Sequence, residues 1–91
     1  MARQVVKEIA TAIKRGCVVM IQKTKPIADG GRQLVSVGKN RKAVGESNYI
    51  VIGKRWDHQY PSAMSAARAF ADFVNRDRAW EALRRARCPG D

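Results

Sequence analysis

Helical periodicity stops at Gly16, and a continuously apolar run begins at the very next residue. Within residues 3–15, Val5, Ile9, Ala12 and Ile13 fall at i, i+4, i+7 and i+8, with Val6 and Ala10 widening the stripe. Arg3, Lys7, Glu8, Thr11 and Lys14 take the other side. Lys14 and Arg15 suit the negative end of a helix, and Gly16 is a natural residue to follow it. Cys17-Val18-Val19-Met20-Ile21 is short and β-branched, which predicts a strand. A one-faced helix has to bury its stripe against another layer, and the α-β-β-β-α order of the whole chain places it in the α+β class. A basic amphipathic helix can also lie on a membrane, but this stripe lacks the Trp, Phe and Leu of interfacial helices, and core packing is preferred.

The rest of the chain supplies further layers. Gln22-Lys23-Thr24 extends the first strand, and Pro26 with Asp29-Gly30-Gly31 breaks it. Gln33–Val37 is a second strand. Gly38–Lys42 and Gly45-Glu46-Ser47 frame a longer connection. Asn48–Trp56 reads as the third strand, with Asn48, Ile50, Ile52, Lys54 and Trp56 on one face and Tyr49, Val51, Gly53 and Arg55 on the other. Asp57–Pro61 is a connector and Ser62 an N-cap. Met64, Ala67, Phe70, Ala71 and Val74 mark the next helix face, and alanines at 63, 66, 67, 69 and 71 permit close approach to a sheet. Asn75-Arg76-Asp77 interrupts this helix, and Trp80 and Leu83 anchor a final one. The expected order is α-β-β-β-α with a C-terminal helical extension, in one domain spanning residues 1–91: a three-stranded antiparallel sheet packed by helices.

Charge is the unusual property. Eighteen Lys and Arg stand against eight Asp and Glu, a net +10, and self-repulsion at that imbalance points to an anionic partner. Eleven of the cations are Arg, whose planar fork suits phosphate and carboxylate. Short connections favour an antiparallel meander, in which loops alternate between the two ends of the sheet. Lys14 and Arg15 then share one end with Lys39, Arg41 and Lys42. Lys23, Lys25 and Arg32 share the other with Lys54, Arg55 and Trp56. These eleven residues are the candidate binding site, two basic rims able to straddle phosphates.

The stretch YIVIGKRWDHQYPSAMSAARAFADF, residues 49–73, is similar to the end of an AP2-type DNA-binding domain: a strand with a glycine, here Gly53, then a turn, then an Ala-Ala-Arg-Ala-aromatic helix, here residues 66–70. Phage integrase arm-binding domains share the three-stranded sheet and packed helix. In both families the sheet enters the major groove, so the resemblance implies base-reading roles for Arg32, Lys54 and Arg55. The first two strands lack the Arg and Trp pattern of AP2 proteins, and the N-terminal helix is extra. The element order also looks like a double-stranded RNA-binding domain, but Pro61–Ser65 lacks the lysines that open that family's last helix.

No P-loop, dinucleotide fingerprint or carboxylate cluster is present, so neither enzyme activity nor a cofactor is expected. Asp57-His58 are chain neighbours with no nucleophile beside them, and Ser62 is better placed as a cap. Trp56 and Tyr60 are candidates for base stacking or for core packing. Arg84, Arg85 and Arg87 complement a helix dipole. Two cysteines and one histidine do not make a zinc site. The first residues do not read as a secretory signal and no run approaches a membrane span, so the expected setting is cytoplasmic, with free thiols. Cys17 and Cys88 would pair only if folding brings them together. The sequence therefore predicts a small non-enzymatic nucleic-acid-binding module, for DNA or RNA, held by phosphate contacts. The alternative is a phage or mobile-element accessory protein, similar to anti-CRISPR inhibitors, that binds an acidic host protein or nucleoprotein complex.

Overall fold

Helix α1 (Ala2–Lys14) buries Val5, Ile9, Ala10 and Ile13 completely or nearly so, following the stripe read from the sequence. These positions belong to a computed structural model that describes residues 2–22, 34–40, 49–53, 56–74 and 76–89. The helix ends in a paired-turn C-cap. Gly16 N–H donates to the Ile13 carbonyl (3.1 Å) and Cys17 N–H to the Ala12 carbonyl (3.0 Å), satisfying acceptors that the helix leaves open. Gly16 sits at φ +93°, where a side chain is disfavoured, so glycine is what allows the chain to reverse here.

That reversal sends the chain into β1 (Val19–Gln22), the first strand of an antiparallel meander with β2 (Leu34–Lys39), β3 (Tyr49–Gly53) and β4 (Trp56–Tyr60), in spatial order β1-β2-β3-β4. Val19, Val37 and Val51 form one continuous cross-strand row, and Ile21 pairs with Val35 in the next. All five are buried under the helices.

The sheet has four strands where the sequence predicts three. Asn48–Trp56 does not run on as one strand: β3 ends at Gly53, which pairs with Trp56, and β4 returns through Asp57, His58, Gln59 and Tyr60. The expected connector is thus mostly strand. Its middle is polar because β4 is an edge strand whose His58 and Gln59 are exposed, so the apolar content that marks a strand is missing there.

Ser62 opens α2 (Ala63–Val74) as expected: its Oγ accepts from Ser65 N–H at 3.1 Å. The buried face is Ala63, Ala66, Ala67, Phe70, Ala71 and Val74. Met64, expected on that face, is 38% exposed. Four buried alanines bring the helix backbone down onto β2 and β3, and the stripe centres on them rather than on Met64. In α3 (Arg76–Arg84) the fully buried residues are Ala79 and Ala82, while the expected anchors Trp80 and Leu83 pack half-buried against the same core.

Beyond α3 the chain returns to the sheet. Val18 and Arg87 exchange two backbone hydrogen bonds, with each N–H donating to the other's carbonyl (2.8 and 2.9 Å). Next to this pair Cys17 and Cys88 form a disulfide across 71 positions of sequence. The expectation of free thiols is corrected: both cysteines are bonded. Their pairing follows from the packing of α3 beside α1 and β1, a long-range event that no local pattern encodes.

Candidate nucleic-acid interface

The helix C-cap, the end of β2 and the tail after α3 meet at one end of the sheet. Lys14 closes α1 and Arg15 is its cap residue, both exposed. Lys39 closes β2, also exposed; the preceding Gly38 lies beside Cys17 and Val18, where an added β-carbon would make ordinary contacts of 3.5 Å to Val18 Cγ2 and 3.7 Å to the Cys17 carbonyl oxygen. Arg84 and Arg85 end α3, and Arg87 is tied to Val18. Between the ends of α1 and α3 lies an open cleft of about 260 Å³, walled by Arg15, Leu83, Ala86 and the two half-cystines, with Thr11 and Glu8 along the α1 side.

Three segments distant in sequence therefore deliver six cations to one end of the molecule. Arg85 is shared with Glu81 at 3.5 Å, the same carboxylate that Arg78 approaches at 3.9 Å. Lys14, Arg15, Lys39, Arg84 and Arg87 make no ion pair with another described residue. Exposed pairs of the Arg76–Asp72 kind, 3.4 Å apart on α2 and α3, neutralise charge elsewhere and contribute little to stability. Two helix C-termini add partial negative charge beneath this cluster, which holds the basic side chains near the helix ends.

Of the eleven site residues predicted from sequence, Lys14, Arg15 and Lys39 lie at this end. Lys23, Lys25, Arg32, Arg41, Lys42, Lys54 and Arg55 are outside the described residues, and with them the second basic rim. Trp56 begins β4, its backbone opposite Gly53. Sequence reasoning missed Arg84, Arg85 and Arg87, which it read as a dipole-complementing face. The signal was the cysteines: Cys17 follows Arg15 by two residues and Cys88 follows Arg87 directly, so a disulfide between them draws the two basic runs together.

The sheet face turned away from the helices mixes aliphatic and polar residues. Met20, Ser36, Ile52 and Asp57 share one cross-strand row, and Gly38, Ile50 and Gln59 another. Val18, Leu34 and Ile52 are 37%, 48% and 42% exposed. Arg87, bridged to Val18, stands at the β1 edge of this face. Asp57 and His58 are consecutive residues of β4, with their backbones opposite Ile52 and Val51. No three described His, Cys, Asp or Glu residues are grouped to hold a metal ion, and no described helix is long and apolar enough to cross a membrane.

No family model, curated protein or solved structure matches the chain. The functional reading therefore rests on the residues themselves.

Proposed function

We propose that this protein is a non-enzymatic module that binds nucleic acid through its phosphate backbone. One observation carries the reading: Lys14, Arg15, Lys39, Arg84 and Arg87 converge from three segments without a carboxylate partner among the described residues. Holding like charges together costs stability unless an anion compensates, and phosphates spaced along a duplex present one charge per ~1.7 Å of axis. The site lies at the end of the sheet. In this reading phosphates are engaged from the end of the sheet, whereas AP2-type and integrase arm domains read the groove with the sheet face.

The test is titration of labelled duplex DNA, single-stranded DNA and duplex RNA over a range of salt. Four or five phosphate contacts give a log–log slope of about −4 on duplex DNA. Replacing Lys14, Arg15 and Arg84 by Ala should flatten that slope by between two and three units and weaken all sequences alike. No binding at low salt, or an unchanged slope in the triple variant, rejects the reading.

The exposed aliphatic residues of the sheet favour a second reading, in which the partner is an acidic protein or nucleoprotein complex. The variants separate the two: Leu34→Glu with Ile52→Glu should abolish a protein contact there and leave phosphate binding within about twofold. A cytoplasmic setting accords with a nucleic-acid partner, but such compartments keep most thiols reduced, so a disulfide there is typically transient or redox-sensing.

A further inference from the structure

The disulfide lies in the wall of the cleft between α1 and α3, and its two sulfurs belong to unlike residues. Cys17 is 1% exposed and held by its N–H to the Ala12 carbonyl. Cys88 is exposed, one residue beyond the Val18–Arg87 pair. Both half-cystines line the cleft, and Cys88 is the residue that is more open to a reagent from solvent. Arg15 lines the cleft beside both half-cystines and Arg87 precedes Cys88, while Glu8 is the one acidic residue along its wall among the described residues. Positive charge raises the local concentration of an anionic thiol and stabilises thiolate in the exchange.

We propose that this cleft is a thiol–disulfide exchange site that takes an anionic low-molecular-weight thiol onto Cys88. The incoming thiolate attacks Cys88 Sγ, forming a mixed disulfide. The Cys17–Cys88 bond breaks, its electron pair leaves on Cys17 Sγ, and that thiolate takes a proton from water. A second thiol molecule, as thiolate, attacks the external sulfur and departs as the symmetrical disulfide, leaving Cys88 as thiolate. Two thiols are oxidised and one cystine is reduced. Opening leaves the tail after α3 tied to the sheet at Val18 by two backbone hydrogen bonds. The chemistry needs no nucleic acid, so it stands or falls apart from the binding reading.

The experiment treats the oxidised full chain with 2-mercaptoethanesulfonate, 2-mercaptoethanol and cysteamine, which are anionic, neutral and cationic. Rates are taken per thiolate at low salt and at 1 M salt, and adducts are located by peptide mass mapping. The expected result is an adduct on Cys88, with the anionic thiol about tenfold faster than the cationic one at low salt and the two converging at high salt. Arg15→Gln with Arg87→Gln should erase most of that preference and leave the neutral thiol's rate within about twofold. The pair Arg68→Gln with Arg76→Gln, on α2 and at the opposite end of α3, should retain it, which separates the cleft from the overall +10 charge. An adduct on Cys17, equal rates for the three thiols, or equal effects of the two double variants would overturn the proposal.

Discussion

Gly16 shows how much a single position determines. It ends α1, turns the chain into β1, and places Arg15 and Cys17 on either side of itself. A β-carbon there would stand 3.2 Å from Pro89 Cγ, and φ +93° is hostile to any L side chain. Gly16→Ala should therefore cost about 1–2 kcal/mol in urea unfolding, and Gly16→Asn less, because Asn tolerates the left-handed region better. Equal stability of the Ala variant would mean that the turn is not held as described. Gly16 and Ser62 were legible in the sequence because capping follows local rules that a few residues express. The Cys17–Cys88 pair was not, because it depends on where α3 comes to rest.

Among the elements, α2 and β4 mark the limits of periodicity. The alanine-rich stripe of α2 was visible in the sequence, but weighting it by size puts Met64 on the core side, whereas Ala63, Ala66 and Ala67 are buried. Close packing of helix on sheet selects the smallest residues, so volume is a poor guide to which face is inward. Ala67→Leu should destabilise the fold by about 1–3 kcal/mol through overpacking, while Met64→Ala should change it by no more than about 0.5 kcal/mol. Chemical denaturation of the two variants checks this, and the reverse order of effects would contradict the assigned face. β4 escaped notice because half of a one-sided edge strand faces water, and Asp57, His58 and Gln59 give it no apolar signature.

For the whole molecule, the disulfide and the charge act against each other. The bond ties residue 17 to residue 88 and so closes nearly the whole chain, yet it also gathers Arg15, Arg84 and Arg87, which repel one another. Which cations converge depends on where α3 and its tail come to rest, and so half of the described cluster could not be read from spacing alone. Closing a loop of 71 positions restricts the unfolded chain strongly, and Cys17→Ser with Cys88→Ser should lower stability by about 2–4 kcal/mol. Repulsion is screened within a Debye length of about 10 Å at 0.1 M salt, so raising salt from about 20 mM to 0.3 M should stabilise the oxidised protein more than the double variant, whose tail is held only by its two backbone hydrogen bonds to Val18. Thermal unfolding of both proteins at the two salt concentrations measures the difference. An equal gain in both would show that the tail cations stay beside Lys14 and Arg15 without the bond, and that the packing of α3 alone assembles the basic end.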